Sequence, residues 1–219
     1  MNRTINEWIK LVHDLAVEKG WWEPLDLSAI SLQAKLMLAV SEVSEAVELV
    51  RLPDFDAKAT WCVVGGTRFS YEAYLKAGKG APPKPEGFGT EVADAIIRIL
   101  DLAGALSIDD EEAGDELEAY AGLPVDKLAS ADAILAVLMR ASAPLFAAAE
   151  VIDDQAADGK RAILDRGDSE RGSFAAMLFG CVHQLTMVCG ALGIDVEAKI
   201  SEKHEFNKTR EIRHGGKRA

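Results

Sequence analysis

The sequence predicts an all-α protein, and three observations lead to this class. Apolar residues recur at three- and four-residue spacing over long stretches; in residues 4–19 they are Trp8, Leu11, Val12 and Leu15, which share one helical face. The chain is 49% hydrophobic but only 6% aromatic, because much of its apolar content is Ala, Leu, Val and Ile, and Ala and Leu are good helix formers. No stretch shows a convincing pattern for a sheet.

Helical spacing, together with start and stop signals, predicts seven helices in order. They cover residues 4–19, 31–51, 90–106, 109–122, 129–152, 174–192 and 195–212. The first ends at Gly20 and the second before Pro53, since the residue preceding a proline disfavours helical backbone. Asp109, with Glu112 three residues later, is the expected cap of the fourth helix, and Pro144 predicts a kink in the fifth.

The segment 52–88 is rich in Gly and Pro and is expected to be irregular, with a short strand at 60–64 and a short helix at 71–76. It is long for a structureless loop, which favours a functional role or a lid. Residues 153–168 are expected to form a charged linker, and residues 214–219 a mobile tail. We therefore divide the chain into a core, residues 1–122, and a second helical part, residues 123–219.

Composition and charge limit the function. The formal net charge of −12 argues against a nucleic-acid polymer as partner, because phosphate backbones attract Lys and Arg. The N-terminus lacks the apolar stretch of a signal peptide, and the three cysteines show no metal-type spacing. The only stretch long enough to span a membrane, residues 174–194, contains His183 and Gln184 and is better read as a buried helix. A cytoplasmic protein without a membrane partner is expected.

Four acids on two predicted helices are the most informative residues. Glu42 and Glu45 lie on the second helix, Glu91 and Asp94 on the third, and each pair has the spacing that shares a helical face. Both helices are otherwise strongly apolar, and buried carboxylates without a counter-charge are very costly. A hard divalent cation with oxygen ligands would satisfy them, and Mg²⁺ fits because it also coordinates phosphate. The alternative is that these acids are solvated stripes on amphipathic helices.

The acid pairs and four further blocks resemble the MazG-type all-α nucleoside triphosphate pyrophosphohydrolases. The blocks cover about half the chain: Lys19-Gly20-Trp21-Trp22, Lys84-Pro85-Glu86-Gly87-Phe88, Gly193-Ile194-Asp195, and Lys203-x-x-x-Asn207-Lys208-Thr209-Arg210 with Arg213-His214-Gly215-Gly216-Lys217. Each block is weak by itself, but their order is specific. The resemblance implies an all-helical bundle and hydrolysis of a nucleoside triphosphate to the monophosphate and pyrophosphate.

The resemblance also implies roles for single residues. Glu42, Glu45, Glu91 and Asp94 would hold Mg²⁺, with Mn²⁺ as the alternative, and Glu45 would orient or deprotonate the attacking water. Lys203 and Asn207 would contact the phosphates, with Arg210 as a helper. His13 and Trp22 match positions that contact the base in relatives acting on pyrimidine nucleotides such as dUTP or dCTP; core packing is the alternative for Trp22, and an ordinary surface position is the alternative for His13.

The end of the chain is basic, unlike the rest. Residues 203–219 hold six Lys or Arg and two Glu. In an acidic protein this reversal suits a polyanionic ligand. The alternative is an ordinary basic terminal helix.

The chain departs from the family pattern by about eighty residues between the second acidic motif and the last block. These residues resemble a second, worn copy of the core: residues 103–109 match residues 189–195, and helix 31–51 can be laid on helix 129–152. On this alignment the four acids fall on Ala143, Phe146, Met177 and Gly180, while Lys203 and Asn207 fall on Leu117 and Ala121. The predicted molecule is then a fused pseudo-dimer with one metal site, similar to the dimeric dUTPases; a plain helical insertion is the alternative.

We further expect the protein to form a homodimer. Two functions compete with the enzyme: a non-catalytic module that binds a nucleotide or a metal, and a structural oligomerisation module.

Overall fold

The computed structural model describes residues 3–23, 25–78, 83–120, 128, 130–152, 163 and 168–212. Its α-helices are α1 (Ile5–Glu18), α2 (Ala29–Val50), α3 (Tyr71–Lys76), α4 (Phe88–Leu106), α5 (Ala131–Val151), α6 (Asp168–Ala191) and α7 (Val196–Lys208). Two short strands, β1 (Trp61–Val64) and β2 (Thr67–Ser70), and a 3-10 helix, Asp110–Tyr120, complete the described elements. The mostly helical class predicted from the sequence is confirmed.

Side-chain caps set several helix starts. Thr4 and Glu7 form a reciprocal capping box at α1, and Asp195 accepts a hydrogen bond from the Ala198 backbone N–H at α7; such caps satisfy orphan amide donors. Ser28 caps α2, so this helix begins two residues earlier than its apolar spacing predicts. Helix α7 ends at Lys208 rather than near residue 212, which leaves Arg210 just beyond it.

The fourth predicted helix is wrong in type. Asp109 and Glu112 do form the expected cap, with each backbone N–H donating to the other side chain. The segment that follows is a 3-10 helix interrupted at Gly114, where φ is 48°. Its acidic run, residues 109–118, places like charges on neighbouring turns, and the glycine disfavours continuous helix.

The segment 52–88 is more ordered than predicted. Strands β1 and β2 pair antiparallel with Val64 opposite Thr67, and Gly65 and Gly66 supply the two positive φ values of a tight hairpin turn. The expectation of no sheet was therefore wrong, although the strand at 60–64 and the helix at 71–76 are confirmed. Beyond the hairpin, Trp61 forms an isolated bridge with Glu86, which fastens β1 to the residues preceding α4.

Helices from the two parts of the chain pack on one another in a reciprocal pattern. Helix α2 packs on α4, and α5 packs on α6, while α2 also contacts α5 and α4 contacts α6. The 3-10 helix, which follows α4, packs on α6; α7, which follows α6, packs on α4. This exchange is the arrangement that the proposed duplication requires, and the duplication stays a prediction. The boundary placed at residues 122–123 and the predicted tail at 214–219 lie outside the described residues, as does the predicted linker at 153–168 apart from residues 163 and 168.

Two helices are long and apolar enough to cross a membrane by length and composition, α5 and residues 170–191 of α6. The sequence predicts only the second of these helices as long enough to span a membrane. In α6 67% of the apolar window is buried within the fold, and in α5 44%. Core helices of soluble proteins pass the same test, so this finding is weak evidence for a membrane.

Candidate metal centre and cleft

Three of the four predicted ligands meet. Glu42 on α2 and Glu91 and Asp94 on α4 each offer a carboxylate oxygen, and these atoms lie within 4.8 Å of one another. The packing of α2 on α4 brings them together, and the i, i+3 spacing puts Glu91 and Asp94 on the same face of α4. Glu91 is buried, while Glu42 and Asp94 are half-buried.

Electrostatic strain marks this cluster. Glu91 is 2% exposed, and its Oε2 is buried without a hydrogen-bond partner. Burial, with a smaller contribution from Asp94, raises the pKa of Glu91 to about 8 against the opposing effect of Lys203. Burial and the neighbouring Asp94 also raise the pKa of Glu42. Such carboxyls must take up a proton or gain a cation, and an all-oxygen donor set suits Mg²⁺.

Lys203 provides one buried positive charge at the cluster. Its side chain on α7 is 2% exposed, and its Nζ lies 2.5 Å from Asp94 Oδ2. The same ammonium donates to the Pro85 carbonyl at 3.4 Å. A lysine buried this deeply needs such partners. The structure therefore places this residue against a predicted metal ligand.

An open cleft of about 380 Å³ is lined by Glu42 and Asp94 of the cluster. Its walls come from α1, α2, α4, α7 and the segment before α4. Asn207 and Arg210 line it, as expected for residues that contact phosphates. Five cationic side chains face this cleft: Lys19, Lys35, Lys84, Arg98 and Arg210. Cations and carboxylates together in one cleft can hold a metal–polyphosphate complex.

Glu45 lies apart from the three clustered acids. It is exposed and lines the cleft, and its charge contributes to the raised pKa of Glu42. It does not belong to the group of carboxylates within 4.8 Å. Its position, one turn from Glu42 and open to solvent, suits contact with a water molecule better than contact with the buried part of the cluster.

The two residues predicted to contact a base are held behind the cleft. His13 Nδ1 lies 2.8 Å from Asp101 Oδ1, and the Trp22 indole N–H donates to the same oxygen at 2.8 Å. Trp22 is 5% exposed, and the Lys35 ammonium lies 4.3 Å from the centre of its ring. Asp101 and Trp21 line the cleft, whereas His13 and Trp22 do not.

The chain matches no protein-family model, no curated protein and no solved structure. Similarity to a known protein therefore adds nothing to the geometry of this site. The resemblance to the MazG-type enzymes stays a prediction based on the sequence blocks.

Two further cleft residues, Arg98 and Asp101, have a local signal in the sequence. Arg98 and Asp101 follow Asp94 at four and seven residues, which places all three on one face of α4. Arg98 donates to Glu42 Oε1 at 3.3 and 3.2 Å. Lys84 has a raised pKa because Glu91, Glu86 and Asp94 outweigh the effect of burial. No spacing rule reaches Lys84 from the acids, since it lies on an irregular segment.

In the second half of the chain, different residues occupy the position that corresponds to the acid cluster. On the alignment given above, Gly180 corresponds to Asp94, and a Cβ added to Gly180 would lie 2.5 Å from Tyr120 Cγ. The Gln184 amide, one turn later, donates to the Tyr120 carbonyl at 2.9 Å. On that alignment, the Tyr120 ring packs at the position that corresponds to the carboxylate of Asp94. Ala121, the position aligned with Asn207, lies outside the described residues.

Proposed function

We propose that the protein is a Mg²⁺-dependent nucleoside triphosphate pyrophosphohydrolase, which converts a triphosphate and water into the monophosphate and pyrophosphate. The observation that carries this proposal is the meeting of Glu42, Glu91 and Asp94, two of which, Glu42 and Asp94, line a cleft together with five cations. The unpartnered Oε2 of Glu91 fits a metal ligand, because a buried oxygen of this kind lacks the cation or donor that it needs.

The cleft residues have distinct tasks in this proposal. Glu42, Glu91 and Asp94 would hold the metal, which when bound supplies charge neutralisation for the triphosphate. Arg210 and Asn207 would position the phosphates, since a guanidinium binds phosphate oxygens through paired N–H groups. Glu45 would accept a proton from a water molecule while the oxygen of that water forms a bond to the α-phosphorus. The bond from that phosphorus to the α–β bridging oxygen breaks, and pyrophosphate leaves with the oxygen.

Product analysis tests the reaction directly. The protein would be incubated with dATP, dCTP, dGTP, dTTP or dUTP and Mg²⁺, and with EDTA as the metal-free control. Monophosphate with pyrophosphate, formed only with the metal, is the expected result. Diphosphate with phosphate, or no turnover of any nucleotide, would contradict the proposal.

A non-catalytic binding module is the second candidate, and one contact favours it. Lys203 already neutralises Asp94, so a protein cation occupies part of the place expected for the metal. In that case nucleotide would bind without hydrolysis. Calorimetry showing saturable dNTP binding with no product after prolonged incubation would select this candidate.

We also propose that the protein is a homodimer. Large apolar side chains are exposed on the two neighbouring helices α2 and α5: Ile30 (73%), Met37 (56%), Met139 (70%) and Phe146 (49%). On each helix the two residues are seven positions apart, which places them on the same face of that helix. Exposed apolar surface of this kind is typical of contact sites between proteins.

A further inference from the structure

A second cavity lies away from the acid cluster. It has a volume of about 570 Å³ and lies between the hairpin, α3 and one face of α7. None of its lining residues belongs to the cleft described above. Its size falls in the range of small-molecule sites, and the hydrolytic reaction proposed above uses none of its side chains.

The charges in this cavity are unevenly paired. Its two acids each have a lysine partner: Glu72 contacts Lys76 at 2.6 Å, and Glu202 contacts Lys199 at 2.9 Å. Arg68 and Lys58 line the same cavity, and neither has a carboxylate within 4.0 Å in the described part of the chain. Two cations are therefore left without a counter-charge.

Arg68 is placed so that its hydrogen-bond donors stay available. Its guanidinium carbon lies 3.7 Å from the centre of the Trp61 ring. Contact with a ring uses the face of a guanidinium and leaves its N–H edge free for a planar or tetrahedral anion. The stack also holds the side chain in place, which lowers the entropy lost when a ligand binds.

The remaining wall of the cavity is apolar and partly open. Phe69 and Leu75 line it with 39% and 48% of their surfaces exposed, and Trp61 and Tyr71 lie beside them. The hydroxyls of Thr60 and Ser70 are the uncharged polar groups of the lining. An aromatic surface next to unpaired cations favours a ligand with both a planar body and an anionic group.

We propose that this cavity binds a phosphorylated small molecule with an aromatic body, of the chemical class of nucleoside monophosphates. Two unpaired cations match the double charge of a phosphate monoester better than the single charge of a carboxylate. Arg68 would bind the phosphate through its N–H edge, and Lys58 would add the second charge. The apolar wall of the cavity would contact the planar body. The proposal is independent of hydrolysis in the cleft.

Calorimetric titration of AMP into the full-length protein tests this site. EDTA is present throughout, so that no metal supports binding in the cleft. We expect one AMP per chain, and at least a tenfold weaker affinity in Arg68→Ala and in Lys58→Ala, because each loses a charge-assisted contact. Lys10→Ala is the matched control; Lys10 is exposed on α1 and pairs with Asp14, so its loss should leave the affinity unchanged. Thermal melts would establish that all variants are folded.

Each alternative result has a definite meaning. Absence of AMP binding overturns the proposal, as does an affinity that Arg68→Ala leaves unchanged. Loss of binding in Arg210→Ala alone would place the nucleotide in the cleft. Inorganic phosphate binding as tightly as AMP would exclude a role for the planar body, and benzoate binding more tightly than AMP would exclude the phosphate.

Discussion

Replacing Glu91 by Gln probes the electrostatic cost of the acid cluster. This carboxyl is 2% exposed, and one of its oxygens has no hydrogen-bond partner. Gln resembles the protonated carboxyl in shape but cannot ionise. We therefore expect Glu91→Gln to stabilise the metal-free protein at neutral and alkaline pH while removing a proposed metal ligand.

The size of the effect follows from the pKa of Glu91, which is raised from 4.5 to about 8. The folded state holds this proton more tightly than the unfolded chain does. The free energy of unfolding therefore falls as the pH rises from 4.5 to about 8 and is insensitive to this group outside that window. At ~1.36 kcal/mol per unit of pKa the full loss is about 5 kcal/mol, and about 3 kcal/mol is lost by pH 7.

Urea unfolding in EDTA at pH 5, 7 and 8.5 measures this difference. Wild type and Glu91→Gln should be similar at pH 5 and diverge in favour of the variant as the pH rises. Mg²⁺ should then stabilise wild type by about 2.7 kcal/mol at a hundredfold excess over its dissociation constant, and the variant much less. Glu48→Gln, an exposed change on α2, is the control. Parallel pH curves for wild type and Glu91→Gln would refute the reasoning.

Three further changes test the cleft and the exposed helix faces. Glu45→Gln should lower kcat by roughly 10² to 10⁴ without loss of stability, whereas Glu48→Gln, one turn away, should retain activity; equal rates for the two variants would remove Glu45 from the mechanism. Arg210→Ala should raise KM about tenfold with little change in kcat, measured by initial rates across substrate concentration. Met37→Lys should convert a dimer into a monomer, as read by light scattering coupled to gel filtration, and an unchanged mass would exclude that face as the contact.

Local patterns were sufficient for most helices and for the acid cluster. The caps at Thr4 and Asp195 and the apolar spacing set the boundaries of α1 and the start of α7, because both effects act within a single turn. The i, i+3 spacing and the apolar surroundings of the two acid pairs predicted that all four acids would approach one another; Glu42, Glu91 and Asp94 do so, and Glu45 does not. Helix packing alone was needed to bring the pairs together.

Other features depended on contacts distant in sequence. Nothing near Trp22 in the sequence shows that its indole donates to Asp101 or that Lys35 covers its ring. The pairing of Lys203 with Asp94 joins residues on α7 and α4, so the sequence predicted its proximity to phosphate but not its burial. The hairpin, by contrast, has a local signal, since Gly65 and Gly66 stand between two strands, but the surrounding segment is rich in turn residues and this obscures the strand pattern.

The contact between Tyr120 and Gly180 has an evolutionary consequence. A Cβ at position 180 would meet the root of the Tyr120 side chain, with 2.5 Å to Cγ and 3.0 Å to Cβ, and neither atom can swing away as the tip of a flexible chain could. Asp at this position would therefore be rejected unless Tyr120 had first become smaller, a change that would open a void costing several kcal/mol. Placing Asp at position 180 therefore needs two substitutions, and the first of them would destabilise the protein. If the first half of the chain holds the hydrolytic centre that we propose, this contact opposes the appearance of a second centre in the other half.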